Sequence, residues 1–504
     1  MNAVTKSLLF PVLLLTACTS SHIPQYTFNQ KTAAPALRAD MVLLKKILEA
    51  NHPSLYWYTP KDSIDYYFNT AINSIQDSLT ETAFRNKVAW VISKIRCGHT
   101  SVRFSNDYNK AWEKHRYPQF PLYFKTWQDS IVVLGSLVAN DSIFKRGTII
   151  TAINGNSNAT ILDSMFRLIN TDGYSDNYKS QLFSGNFPYW YKLVWGSDTA
   201  WTIRYIDTAG KEQETVVNEY SPSNHITRRQ KDSLPVAKLP IPVMPTRKEV
   251  RKSKLLNERS LVIDTTINTA FMHLATFSDG RLRRFFKHSF ATLKEHHIGN
   301  LVIDLRENTG GTLNSSLLLT RYLIDTAFKT GDTIAAVHKT VRYSRYIPQS
   351  YIFWWPMHLF SYKKSDGRYH NTRFENHYFQ PFTRRHFNGK VYLMQGGYTF
   401  SAATMFVSYL KGQHNVTVLG EETGGGYYGT SAMHLPTIIL PHSKLRVILP
   451  LYRLVLDARR TKDGRGIPPD IYVPPSSEAI KQGVDKKMIK VRELITGSAT
   501  NHPN

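Results

Sequence analysis

From residue 36 to 95 apolar positions recur three and four residues apart, the spacing that lays one apolar stripe along a helix. Leu37, Met41, Leu44 and Leu48 form one stripe, Ile64, Phe68 and Ile72 a second, and Phe84, Val88, Val91, Ile92 and Ile95 a third. Pro53 and Pro60 break the pattern between the first two, so 36–111 is expected to hold a small helical module. Gly98 suits the end of its third helix, which leaves His99 just past that end. From about 112 to 220 the apolar runs shorten: 130–134, 147–155 and 202–206 read as strands, with a helical piece over 161–169. Beyond Leu261 strands and helices alternate. The strands are 271–274, 301–305, 391–394 and 416–419, and the helices 280–296, 314–325 and 405–410. Such alternation predicts a layered α/β domain over 259–478, with a C-terminal tail at 479–504.

The chain begins with Lys6 and the apolar run 8–15, too short to cross a bilayer and shaped like a secretory signal. Leu15-Thr16-Ala17-Cys18 resembles the bacterial lipoprotein processing box. That resemblance implies a signal peptide at 1–17, lipidation of Cys18 and a polar tether over 18–35. The expected location is then the cell envelope, outside the cytoplasm and facing the periplasm, with a lipid anchor in the membrane. Only Cys97 remains after the anchor, so no intrachain disulfide is expected. The balance of 63 Lys+Arg against 38 Asp+Glu is strongly basic. No zinc-ligand spacing or nucleic-acid motif accompanies it, which points away from nucleic acid and toward anionic lipid or envelope polymer. The charge concentrates at Arg228, Arg229, Lys231, Arg247, Lys248, Arg251 and Lys252 in a Pro-rich stretch, 221–258, that reads as a linker. A segment at about 340–386 interrupts the α/β domain. It contains Phe353-Trp354-Trp355-Pro356 and has the length of a lid, while its aromatic and basic residues also suit a membrane surface.

The chemistry concentrates in four places. Asp304-Leu305-Arg306-Glu307-Asn308-Thr309-Gly310-Gly311 follows a buried strand, and the paired glycines permit close approach of another chain. Asp304 and Arg306 are expected to hold this turn as an ion pair. Thr399-Phe400-Ser401-Ala402-Ala403 lies at a strand-to-helix turn, where a serine either caps the helix or presents its hydroxyl beside the Ala402 N–H. Gly420-Glu421-Glu422-Thr423-Gly424-Gly425 ends the next strand, and Gly464-Arg465-Gly466-Ile467-Pro468-Pro469-Asp470 lies further on. No His/Glu or Cys/His spacing suggests a metal, and no cofactor is implied.

The strand ending in Ile153-Asn154-Gly155, followed by a helix and a strand, resembles a PDZ domain over 112–220, a module that adds an extended peptide to a sheet edge. The four motifs, in this order, resemble the serine peptidase family of C-terminal processing (tail-specific) proteases and the tricorn core. The resemblance covers about 36–475 and implies a crotonase-like catalytic domain. It further implies peptide or unfolded-protein substrates, Ser401 as nucleophile, and an oxyanion hole from the N–H groups of Ala402 and of Gly310 or Gly311. Processing proteases activate the serine with a lysine at a position occupied here by Gly426, and no lysine occurs from 412 to 443. The tricorn-like branch uses a histidine instead, and Arg96-Cys97-Gly98-His99-Thr100 matches its element, with Cys97 and Gly98 as departures. A neutral imidazole can take a proton near neutral pH, so His99 is the expected base. Asp463 is the expected third group, with Glu422 its rival. These departures also fit a non-catalytic peptide- or lipid-binding protein on the same scaffold.

Overall fold

A computed structural model describes residues 26–115, 119–220 and 245–499. The apolar run at 8–15, Cys18 and the basic cluster at 228–231 lie outside these residues.

The three apolar stripes become the helices Ala34–Asn51, Lys61–Asn73 and Glu81–Lys94, whose Leu37, Met41, Leu44, Phe68, Phe84 and Val88 are buried together. Past the last helix Arg96, rather than Gly98, takes the left-handed conformation. The chain then enters the short strand Val102–Arg103, which pairs antiparallel with Arg446–Ile448 of the α/β domain. That pairing, extended by the Ile448 N–H donating to Ser101 O at 2.9 Å, fixes the His99 loop against the distant α/β domain.

Residues 119–220 form an antiparallel sheet in the order Leu122–Trp127, Ser130–Ser136, Ile149–Ile153, Ala200–Ile206, Glu212–Asn218. Its apolar face is covered by Asn158–Phe166 and by the long helix Asp176–Trp195, which bends at Asn186, just before Pro188. A proline inside a helix removes one backbone bond and crowds the preceding turn, which accounts for the kink.

The third unit carries a six-stranded sheet in the order Arg259–Asp264, Thr269–Leu274, Asn300–Asp304, Lys390–Gln395, Val416–Gly420, Ile471–Tyr472. The first pair is antiparallel and the rest parallel. Parallel strands need both faces covered. Leu282–Glu295, Leu313–Thr320 and Ala402–Leu410 cover one face. The other is covered by Lys486–Ala499, whose Val491 and Ile495 pack on Val302, Tyr392, Met394 and Leu419. The segment expected as a tail is therefore structural. The end of the expected linker forms the exposed helix Arg247–Glu258, with a capping box from Thr246 and Glu249. Within the insertion, the helix Ser350–Phe360 buries Met357 and leaves Trp354 and Trp355 exposed. Ile347, Phe353 and Met357 pack into the core of the helical module, and Arg342 N–H donates to Asn51 Oδ1 at 2.8 Å. Its contacts thus run both to the N-terminal helices and, through the strands Ser361–Lys363 and Tyr369–Asn371, to a second sheet of the α/β domain that contains Gly429–Ala432.

Candidate active site

Adjacent parallel strands bring the loops at their carboxyl ends together, where open α/β sheets bind ligands. Asn300–Asp304 and Lys390–Gln395 are such neighbours, and the loops leaving them carry Gly310–Gly311 and Ser401. A Cβ added at Gly310 would stand 2.7 Å from Ser401 Cβ and 3.0 Å from Ala402 N, so only glycine admits this contact. Asn308, fully buried, shapes the turn: its Nδ2 donates to Leu274 O at 3.1 Å, and its Oδ1 accepts from Gly310 N–H at 2.9 Å. Gly310 N–H is therefore engaged. Among the described residues, no acceptor is found for the N–H groups of Gly311 and Ala402.

Ser401 sits at the N-cap of Ala402–Leu410 with φ 53° and ψ −123°, and its side chain makes no capping bond. A positive φ at a non-glycine residue costs energy and survives where the surroundings over-determine it. They do so here. Phe400 N–H donates to Asn308 O at 3.2 Å, Gly424 N–H to Thr399 O at 3.1 Å, and Thr399 Oγ1 to Leu305 O at 2.9 Å. The strained turn turns the hydroxyl away from the helix, and Ser401 Oγ lies 3.0 Å from His99 Nε2.

The imidazole lies 4.9 Å from the Phe400 ring, tilted 32° to it, and Phe400 is itself stacked at 4.8 Å on Tyr178. On its other nitrogen, Nδ1 lies 3.4 Å from Thr430 Oγ1. The Thr430 hydroxyl donates to Asp172 Oδ2 at 2.8 Å, so toward His99 it offers a lone pair. This assigns the proton to Nδ1 and leaves Nε2 as an acceptor facing the serine. Desolvation holds the His99 pKa below its ordinary value, and the Asp172 carboxylate partly offsets that. The imidazole is thus neutral at neutral pH.

The carboxylates expected to orient His99 are elsewhere. Asp463 is exposed and accepts from Arg465 N–H at 2.8 Å, capping its own turn. Glu422 binds Arg465 Nη2 at 2.6 Å and Gly466 N–H at 2.6 Å. Asp172 and Thr430 were not among the expected residues. Asn170-Thr171-Asp172-Gly173 reads locally as an ordinary polar turn between helices, and Thr430 carries no motif. Asp304 and Arg306 pair at 2.7 Å as expected, with Asp485 joining at 2.8 Å. Lys411 is paired with Asp470. A Cβ at Gly426 would stand 2.5 Å from Gly429 O, so the position of the missing lysine has no room for one. Beside the glycine turn opens a cavity of about 710 Å³, lined by Glu307, Thr309, Tyr398, Lys125 and Gln181. Among the described residues no cluster suited to a metal ion occurs.

The family model of peptidase family S41 matches residues 268–473, the stretch holding the glycine turn, Ser401 and the 464–466 turn. Residues 268–473 form a peptidase family S41 domain. The chain is a serine-type peptidase with an α/β protease domain. No curated protein matches this S41 peptidase in sequence. Among solved structures, mature CPAF aligns with a TM-score of 0.60 at 13% identity, over 92% of this chain and 98% of that one. A mutant form of CPAF aligns at 0.64 and 14% identity, over 94% and 99%. At such identity the likeness speaks for the fold, and it extends through all three units. His99 and Asp172 both lie outside the residues that the family model matches.

Proposed function

We propose that this S41 peptidase is an endopeptidase of the bacterial cell envelope that works through an acyl-enzyme on Ser401, with His99 as general base. The observation that carries the reading is the 3.0 Å approach of Ser401 Oγ to His99 Nε2, from a serine that caps nothing. Ser401 Oγ attacks the carbonyl carbon of a peptide bond while its proton passes to Nε2. The carbonyl oxygen becomes an oxyanion and accepts from Ala402 N–H, at the positive end of its helix, and from Gly311 N–H. The C–N bond then breaks, the amine leaves with the proton held on Nε2, and an ester joins Ser401 to the acyl half. Water attacks that ester by the same route, with His99 as base again, and releases the acid and free serine. The peptide would enter along the cavity between Tyr398 and Lys125. The apolar run 8–15 and the Cys18 box support attachment of the mature chain to a membrane by acyl chains, with the periplasm the favoured compartment.

The test is hydrolysis of an unfolded protein by wild type, Ser401→Ala and His99→Ala, together with labelling by a serine-reactive phosphonate. Loss of about 10²-fold or more is expected in each variant, with no label on Ser401→Ala. An unlabelled wild type would instead support a pure binder on this scaffold.

A further inference from the structure

We propose that Asp172, acting through the Thr430 hydroxyl, positions His99 for proton transfer and takes the place expected for Asp463 or Glu422. This rests on the serine-peptidase reading above. Asp172 is 3% exposed, and both its oxygens are engaged: Oδ2 by Thr430, and Oδ1 by Gly98 N–H at 2.8 Å. Its segment clamps the histidine loop from the backbone side. Asn170 Nδ2 donates to Cys97 O at 3.0 Å and to Gly98 O at 2.7 Å, and Gly173 N–H donates to Arg96 O at 3.0 Å. The same segment is tied to the catalytic domain, since Tyr174 N–H donates to Gly464 O at 2.8 Å and Ser175 Oγ to Thr423 O at 2.9 Å.

The second argument is electrostatic. A buried carboxylate is costly unless a cation or several donors compensate it. Among the described residues no Lys or Arg pairs with Asp172; its partners are a hydroxyl and an amide. The other titratable groups around it are neutral: burial pushes the Cys97 thiol up to about 12 and the Tyr178 phenol up to about 12, and raises Tyr58 as well. The cation complementary to Asp172 arises when His99 takes the serine proton. An interaction stronger in the transition state than in the resting enzyme is one that raises kcat. The hydroxyl between them relays orientation: with its proton held by Asp172, Thr430 can only accept from Nδ1–H. Asp172 and Thr430 are therefore positioning residues.

Full-length Thr430→Val, Thr430→Ser and Asp172→Asn are compared with wild type and Ser401→Ala in kcat, KM and pH profile. Thr430→Val, nearly isosteric, is expected to lower kcat by about 10²-fold with KM within about twofold, and Thr430→Ser to restore most of it. Asp172→Asn is expected to lower the plateau and to move the acid limb of kcat/KM to lower pH, because the carboxylate raises the His99 pKa. A residue that merely held the loop would lower activity without shifting the limb, and its loss would not discriminate serine from valine at 430. Wild-type kcat in Thr430→Val, or equal losses in Thr430→Val and Thr430→Ser, overturns the relay while an inactive Ser401→Ala preserves the peptidase. Activity in Ser401→Ala removes the peptidase reading itself. Thermal unfolding of each variant checks folding, and the valine–serine contrast decides if Asp172→Asn does not fold.

Discussion

Replacing Gly98 by alanine adds one methyl group at a place where the structure has no space for it. The backbone there is not left-handed, so conformational strain does not enter. The new Cβ would stand 2.4 Å from Phe400 Cζ, 2.9 Å from Phe400 Cε2 and 3.1 Å from Asp172 N. Carbon atoms in contact prefer about 3.5–4.0 Å, so the ring must retreat by roughly 1 Å. It is poorly placed to do so: Phe400 is 5% exposed, lies between the His99 and Tyr178 rings, and immediately precedes Ser401 in the chain. Overpacking of this kind costs about 1–3 kcal/mol. A 1 Å displacement of the reacting groups costs on the order of 10² in rate. Gly98→Ala is therefore expected to lose about 10²-fold in kcat/KM on a fluorogenic unfolded substrate, with a fall in Tm of several degrees. Gly98→Ser, which adds a Cβ at the same place, is expected to fail for the same steric reason. Phe400→Leu in the Gly98→Ala background should recover part of the loss, since the double-mutant cycle then shows positive coupling. A Gly98→Ala enzyme within threefold of wild type at unchanged Tm would refute the packing argument.

Acid should weaken the fold through His52, which is buried and held to about 3 by desolvation. Below its unfolded pKa near 6.5 the unfolded chain binds the extra proton, so this contribution is complete above pH 6.5 and declines as pH falls toward 3, by up to about 1.4 kcal/mol per unit. Urea midpoints at pH 7.5 and 5 should show it, and the difference should shrink in His52→Gln. The lowered His99 pKa keeps the base form at lower pH, so the acid limb of kcat/KM should have its midpoint below 6.5; a midpoint well above that value contradicts the assignment. Lys411→Met should keep kcat within about twofold and cost at most about 1 kcal/mol, as the loss of a partly exposed ion pair with Asp470; a large loss of kcat would revive a lysine base. Gly311→Ala should abolish activity and lower Tm, because its φ is 136° and its Cβ would stand 2.4 Å from both Ser278 N and Ser278 Oγ.

Helical periodicity alone located the N-terminal module because apolar spacing is a local property, and Leu37, Met41 and Phe68 were legible as core for that reason. The central strands were legible too, as short uninterrupted apolar runs. Ser401, the glycine pairs and His99 stood out because each lies in a short contiguous motif. Local spacing failed where burial comes from a remote surface. Met488, Val491 and Ile495 looked like a tail because the face they cover is built from strands up to nearly two hundred residues earlier. Asp463 looked suitable because it sits beside a motif, yet it is spent on its own turn.

The sequence by itself determined the α/β class, the order of the three units, the candidate serine and the absence of a lysine from 412 to 443. Only the tertiary structure decided which group faces each nitrogen of His99. Ser401 is 302 residues from it, Thr430 331, and Asp172 is 258 residues from Thr430. Such hydrogen bonds depend on atoms meeting within about 3 Å after three units have docked, and nothing in the local pattern of any one unit encodes that meeting.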